Sequence, residues 1–194
     1  MANKEDILSR IRKNIKTKYD MPRLDDIQGI TYPDPLAQFI SMTETVGGKV
    51  VELQPGKDIN ELVRELYPEA KEIASNLPEI NIATRNPDTC GSPQALNGTD
   101  VGIIRGVFGV AENACVWIPQ AMVEKAVCFI SENLIILLKK SEIVNNMHEA
   151  YRRIEMNDYG YGSFISGPSK TADIAQVLVM GAQAARSATV VLLP

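Results

Sequence analysis

Histidine and cysteine are both scarce in this sequence, which has one histidine and three cysteines among its 194 residues. A lone histidine, His148, cannot build a His-rich metal site, and a Ser-His-Asp triad would depend on it. The cysteines, Cys90, Cys115 and Cys128, lie far apart with no C-x-x-C pair, whereas structural zinc and iron–sulfur clusters need clustered thiolates. We therefore expect no metal, no cluster and no other cofactor in this chain.

The sequence also lacks the short signatures of several large enzyme classes. It contains no G-x-x-x-x-G-K-[ST] phosphate loop and no G-x-G-x-x-G fingerprint after a strand. A G-x-S-x-G elbow, which would indicate a serine hydrolase, is missing too. Nucleotide hydrolysis, hydride transfer with a dinucleotide and serine-triad hydrolysis therefore lose their usual sequence support.

Excess basic charge and long apolar runs are absent as well. A formal net charge of -4 and a pI near 5.1 argue against a nucleic-acid-binding surface. The longest apolar run, Leu134 to Leu138, is far too short to span a bilayer. The N-terminus is charged from Lys4 onwards, unlike a secretory signal, and sparse cysteines suit a reducing compartment. We expect a cytoplasmic protein with no membrane span and no nucleic-acid partner.

The chain divides into an arm and one domain. Ile7, Leu8, Ile11 and Ile15 follow the spacing of one helix face, so residues 3–17 predict an amphipathic helix that packs on the domain or on a partner. Prolines then punctuate a stretch with little periodicity, which is typical of a linker. We therefore predict a helical arm and linker over residues 1–33 and a single domain over residues 34–194.

Within the domain, apolar runs with strand character alternate with helical patterns, which predicts an α/β fold with a mainly parallel sheet flanked by helices. The predicted strands cover residues 49–53, 80–83, two or three pieces of 101–118, and 134–138. The predicted helices are 36–45, one capped by Asp58 and ending at Tyr67, one that includes Val123 and Val127, and one from Ser141 to about Ile154.

Two places attract attention as candidate sites. In Gly167-Pro-Ser-Lys-Thr-Ala-Asp173 a turn leads into a predicted helix start, where free N–H groups and Lys170 would suit a phosphate or carboxylate. The alternative is that Ser169 or Thr171 simply caps a helix and the lysine is solvated. Glu112 is the second candidate, because it interrupts an apolar stretch and must find a partner, face solvent or stand at a strand end where ligands bind.

The C-terminal segment Ile165-Ser-Gly-Pro-Ser-Lys-Thr-Ala-Asp-Ile174, followed by Val179-Met-Gly181 and Val190-Val-Leu-Leu-Pro194, resembles the LUD-domain family in its lactate utilization protein C-like members. The resemblance extends over roughly residues 34–194 and includes the family's central motif at 100–103 and 108–112. It implies a NagB/RpiA/CoA-transferase-like fold with a ligand site at strand ends. It also implies a subunit without clusters that works beside iron–sulfur subunits in oxidising L-lactate to pyruvate.

By the same resemblance, Glu112 is the candidate catalytic residue, and the candidate ligand-binding residues are Gly167, Ser169, Lys170, Thr171, Asp173 and Gln183. This sequence departs from the family's motifs at several polar positions. Ile104, Val107, Asn113 and Ala114 replace Thr, Asp, Thr and Gly, and Gln183 stands where a histidine is usual. The departures mark a divergent member of the family.

Three functions remain open on these grounds. The first is a cluster-free accessory subunit of lactate oxidation that binds a small carboxylate or phosphate. The second is a CoA-transferase-like enzyme in which Glu112, in Ala111-Glu-Asn-Ala114, attacks a thioester. The third is a non-catalytic assembly protein whose N-terminal helix docks a partner.

Overall fold

A computed structural model describes residues 3–17, 19–20, 23, 27–155, 160–172, 177–183 and 185–194. Over these residues the helices are α1 (Lys4–Asn14), α2 (Pro35–Thr45), α3 (Ile59–Leu66), α4 (Val127–Ile130) and α5 (Met147–Arg152). The strands are β1 (Lys49–Glu52), β2 (Ile73–Ala74), β3 (Val101–Arg105), β4 (Gly109–Val110), β5 (Val116–Pro119), β6 (Asn133–Lys139), β7 (Ile143–Val144), β8 (Gly162–Ile165), β9 (Lys170–Thr171), β10 (Val179–Met180) and β11 (Ser187–Leu193).

The larger sheet is parallel throughout and has the order β1-β11-β6-β3-β2. Its central strands β6 and β11 are buried along most of their length, as expected for a parallel sheet covered on both faces. The apolar run Leu134–Leu138 lies inside β6, where the sequence predicts a buried strand. The mixed α/β architecture with a mainly parallel sheet and flanking helices is therefore confirmed.

A second sheet has the order β7-β4-β5-β8 and is mostly antiparallel. Trp117 on β5 lies opposite Phe164 on β8, and their ring centroids are 4.8 Å apart. Cross-strand aromatic pairs of this kind stabilise a sheet. Because β8 and β4 both run antiparallel to β5, the carboxyl ends of β4, β7 and β8 meet at one edge, which we call the turn edge.

Capping side chains define where the helices begin. Asp58 caps α3 by accepting a hydrogen bond from the backbone N–H of Asn60 at 2.9 Å, and the bonds from that residue hold the pKa of the carboxyl below its ordinary value. Asp34 caps α2 in the same way through the N–H of Ala37. The predicted cap at Asp58 is confirmed. Each helix in the described ranges is too short to cross a lipid bilayer.

The predicted strand at residues 80–83 is wrong, because the neighbouring strand of the sheet is β2 at Ile73–Ala74. Residues 80–83 instead form turns that α3 holds in place. The side-chain amide of Asn60 donates to the carbonyl oxygen of Glu79, and its oxygen accepts from the N–H of Asn81. The short segment at Ile73–Ala74 becomes a strand because it pairs with β3.

Two predicted helices are shorter than expected. The helix from Ser141 to Ile154 is wrong over its first half, where a 3₁₀ turn (Lys140–Glu142) and β7 occupy the chain. Asn146 starts α5 by accepting a hydrogen bond from the N–H of Glu149. The helix predicted to include Val123 and Val127 begins only at Val127, so Val123 lies before α4.

Helix α1 forms as predicted, with a capping box in which the side chains of Asn3 and Asp6 each accept from the other's backbone N–H. None of its residues is buried. Three isoleucines of the apolar face stay about half exposed: Ile7, Ile11 and Ile15. The helix therefore presents an apolar stripe that has no cover within the described part of the chain.

Candidate functional site

The turn that follows β8 is shaped by one glycine. Gly167 has a φ of +65°, the left-handed region that favours glycine. A Cβ at this position would stand 2.9 Å from the carbonyl oxygen of Val46, the residue that ends α2. Gly167 therefore lets the turn pack directly on the end of α2, which no side chain at this position would allow.

After the turn the chain continues as a ribbon and not as the predicted helix start. Lys170 and Thr171 form β9, which pairs antiparallel with β10. The N–H of Ser169 donates to the carbonyl of Ala185 at 3.0 Å, and the N–H of Gly181 donates to the carbonyl of Ser169 at 2.9 Å. The N–H of Ser169 is thus used inside the fold. The helix-terminus argument for anion binding at Ser169–Thr171 is therefore wrong, and Asp173 lies outside the described residues.

A cavity of about 300 Å³ opens beneath this turn and gives the segment a different way to bind a ligand. Predicted site residues Gly167, Ser169 and Lys170 line it. The rest of the wall is formed by Cys128, Phe129, Leu134, Phe164, Ile165, Ser166, Pro168 and Ala185. Thr171 and Gln183 do not belong to this lining, and Gln183 is exposed. The structure therefore brings three of the predicted ligand residues to one cavity.

Lys170 is the charged residue of this cavity wall. It is exposed, and it makes no ion pair with any other residue that the structure describes. Most of the other lining residues have apolar side chains, and none of them is acidic. An anion that enters the cavity would meet the charge of Lys170, which no acidic residue in the described ranges neutralises.

A narrow cleft continues the cavity along β8. The cleft shares Cys128, Phe129 and Ile165 with the cavity and leads toward Tyr161. At its far end the ammonium group of Lys125 lies 5.0 Å from the centroid of the Tyr161 ring, a cation–π contact. Its free volume is only about 10 Å³, so this end is nearly closed.

Glu112 lies at the turn edge, two residues beyond β4, but its side chain is directed elsewhere. The carboxylate accepts a hydrogen bond from the N–H of Met147, the first residue of α5, at 2.9 Å. The side chain is exposed, and the cavity lining does not include it. This arrangement is that of a helix cap. A nucleophilic role for Glu112 stays a prediction, which mass spectrometry for an acyl adduct after incubation with acyl-CoA tests.

Two cysteines lie near the turn, although the sequence analysis did not predict them as site residues. Burial raises the pKa of the Cys115 thiol, a side-chain hydrogen bond with Ser166 partly offsets this effect, and the charge of Glu112 raises the pKa further. Burial raises the pKa of Cys128 to about 12, so this cavity residue is a neutral, apolar thiol at pH 7. Placement of a cysteine inside an apolar run was the only available signal. Across the described ranges, no three His, Cys, Asp or Glu side chains are close enough to share a metal ion.

Comparison with known proteins agrees with the sequence motifs. A family model described as the LUD domain matches residues 91–193, which is more than half of the chain. The chain belongs to the LUD-domain family. The matched range contains the turn edge, the cavity and Glu112. The predicted family membership is therefore confirmed.

The fold of this LUD-domain protein is also found among solved structures. It is similar to a DUF162 family protein from Deinococcus radiodurans, with a TM-score of 0.61 and 12% sequence identity. The match covers 86% of this chain and 100% of the other. At this identity the likeness supports the fold and nothing finer. No curated protein matches the sequence.

Proposed function

We propose that this protein is a cluster-free accessory subunit of an L-lactate utilization system, which oxidises lactate to pyruvate, and that it binds a small carboxylate or phosphate. Membership of the LUD-domain family supports a role related to lactate utilization. The observation that carries the ligand proposal is Lys170, which lines a cavity of about 300 Å³ and has no acidic partner among the described residues.

Partner subunits follow from the electron balance of the reaction. Oxidation of lactate to pyruvate releases two electrons and two protons, and an acceptor must take them up. The spacing of Cys90, Cys115 and Cys128 does not provide the ligand set of an iron–sulfur cluster. In this proposal the electrons pass to iron–sulfur subunits, while this subunit contributes the anion-binding cavity.

The residues of the turn have distinct roles in this proposal. Gly167 and the backbone around it fix the shape of the cavity mouth, and Lys170 supplies the charge that attracts the anion. Ser169 lines the same cavity, and its hydroxyl can donate a hydrogen bond to the anion. Thr171 and Gln183 would contact only a ligand that extends beyond the cavity.

Association with iron–sulfur subunits tests the accessory role. The tagged protein is purified from its source cells grown on L-lactate, and co-purifying proteins are examined for iron–sulfur clusters by absorption and paramagnetic resonance. The proposal expects such subunits to co-purify and expects loss of growth on lactate when the gene is deleted. A deletion strain complemented with Lys139→Ala, an exposed lysine on β6, should grow, whereas Lys170→Ala should restore growth poorly. Normal growth of the deletion strain, with no iron–sulfur partner recovered, would rule out this function.

The exposed apolar stripe of α1 favours the assembly role as a second candidate. Ile7, Ile11 and Ile15 are each about half exposed, although burial of such side chains is favourable. In this alternative α1 docks on a partner and the cavity is incidental. The two candidates differ in one measurable respect, because the assembly role requires α1 and no ligand, whereas the accessory role requires the ligand.

A further inference from the structure

We propose that the natural ligand of this cavity is a carboxylate with an apolar body larger than the methyl group of lactate. The inference rests on the proposed anion-binding function and refines its ligand class. It is drawn from the size of the cavity, from the chemistry of its walls and from the position of its one lysine. The ligand would place its carboxylate at Lys170 and its apolar part against Phe129.

The cavity is larger than lactate or pyruvate requires. Its volume of about 300 Å³ corresponds to roughly ten water molecules at ~30 Å³ each. It also reaches the lower end of the range in which protein sites for small molecules are commonly found, about 300–1,000 Å³. A three-carbon acid would leave much of this space to water in contact with apolar side chains, which is unfavourable.

Most of the lining residues other than Lys170 have apolar side chains. Phe129 lines both the cavity and the cleft and is 39% exposed, so part of its ring is open to a ligand. Leu134 and Ile165 form the neighbouring wall, and Cys128 adds a thiol that remains neutral. A ligand body placed here would cover the exposed ring and would gain roughly fourfold in affinity for each buried methylene, which corresponds to about 0.8 kcal/mol.

The polar side chains of the cavity lining belong to Ser166, Ser169 and Lys170, and none of these residues lines the cleft. Ser166 already donates its hydroxyl proton to the carbonyl oxygen of Asn113 at 2.8 Å, so it is not available to a ligand as a donor. Ser169 and Lys170 are adjacent in the chain, line the same cavity and provide the anchor for a carboxylate. Lys125 and Tyr161 close the far end of the cleft, and this closure limits the length of the ligand body.

Calorimetric titration with a series of 2-hydroxy acids tests the inference. The series is lactate, 2-hydroxybutyrate, 2-hydroxyhexanoate and phenyllactate, which share one head group and differ in the apolar part. The dissociation constant is expected to fall about fourfold per added methylene, and to level off where the cleft narrows. Phe129→Ala should remove most of this gain, whereas Phe129→Leu should keep much of it. Val123→Ala, an exposed aliphatic position just before α4, is the matched control and should leave the series unchanged.

The possible outcomes distinguish failure of this inference from failure of the proposed anion-binding function. Equal affinities along the series, with lactate bound, would overturn the larger ligand and leave the anion-binding function standing. The inference would also be overturned if Phe129→Ala bound the longer acids as tightly as the natural protein does, because the apolar part of the ligand would then lie elsewhere. If neither the acids nor inorganic phosphate bind, both the larger-ligand inference and the anion-binding function are contradicted. Circular dichroism verifies that each variant is folded. If Phe129→Ala does not fold, Phe129→Gln replaces it, because a polar side chain at this partly exposed position also removes the apolar surface and should also lose the gain.

Discussion

The hydroxyl of Ser166 donates a hydrogen bond of 2.8 Å to the backbone carbonyl of Asn113, a residue 53 positions earlier in the chain. This bond joins the turn after β4 to the turn after β8, so the two segments with the strongest family resemblance meet at the turn edge. The turn edge also lies against the amino ends of β1 and β11, as the contacts of Gly167 with Val46 and of Ser169 with Ala185 show. We propose this edge, at the carboxyl ends of the small sheet, as the ligand site that the family resemblance implies at strand ends.

Replacement of Gly167 by alanine should destabilise the domain by about 2–4 kcal/mol. The substitution combines backbone strain at positive φ, about 1–2 kcal/mol, with a Cβ placed 2.9 Å from the carbonyl oxygen of Val46. Gly56→Ala is the matched control, because Gly56 has a φ of +80° but open space around its Cβ position. Urea unfolding of both variants measures the difference. An equal loss of stability in the two would mean that the close approach to α2 contributes nothing.

Ala114 should tolerate glycine better than a neighbouring alanine does. It is buried and has a φ of +56°, the left-handed region that favours glycine. Glycine there relieves strain of about 1–2 kcal/mol, which offsets the lost methyl group and the added chain entropy. Ala111→Gly, equally buried but without positive φ, has no such compensation. Its unfolding free energy should fall by about 1–2 kcal/mol more than that of Ala114→Gly, and the reverse order would contradict the strain.

Cys128 should make the domain less stable at alkaline pH. Its folded pKa of about 12 lies above the ordinary value of 9.0, so the folded state holds the thiol proton more tightly. The stabilisation is complete below pH 9 and is lost as the pH rises toward 12. Between those values the unfolding free energy of the natural protein should decline by up to about 1.4 kcal/mol per pH unit more steeply than that of Cys128→Ala. Parallel pH dependences in urea titrations from pH 8 to pH 10.5 would show that the thiol is not buried.

Deletion of residues 1–19 should leave the domain folded with an unchanged melting temperature. No residue of α1 is buried, so the deletion removes no contact of the core. The same variant separates the two candidate functions. If the assembly role holds, partner association disappears in this variant, whereas the accessory role expects ligand binding to persist. Unchanged association measured by analytical ultracentrifugation would exclude docking through α1, and a lower melting temperature would show that the arm does pack on the domain.

Local signals explain which parts of this fold the sequence predicts correctly. Asp58 starts its helix through its own side chain, and the five apolar residues of 134–138 can be accommodated only in a buried element. The strand at 73–74 was missed because nothing local distinguishes it from 80–83, and pairing with β3 decides between them. The same is true of Lys170–Thr171, which pair with β10 although their hydroxyl-rich surroundings suit a helix start equally well.

The candidate site was predictable only in part, for a related reason. The turn at 167–170 is contiguous in sequence, so its residues could be named together. Other residues of the lining, Cys128 and Phe129 on α4 and Leu134 on β6, are distant in sequence and reach the turn only through tertiary packing. Glu112 was identified as a residue that needs a partner, and the partner, the N–H of Met147, lies 35 positions further along the chain. Long-range packing determines these relationships.

The most direct test of the account is the binding of small anions to the natural protein and to Lys170→Ala. Thermal unfolding is followed with lactate, pyruvate, inorganic phosphate, CoA and flavins, because a ligand that binds the folded state raises the melting temperature by mass action. Lys139→Ala serves as the control for the loss of one exposed positive charge. The account predicts that at least one carboxylate or phosphate raises the melting temperature of the natural protein and of Lys139→Ala, and that Lys170→Ala loses this shift. An equal shift in all three proteins, or no shift in any, would contradict the cavity beneath Gly167–Lys170 as an anion site.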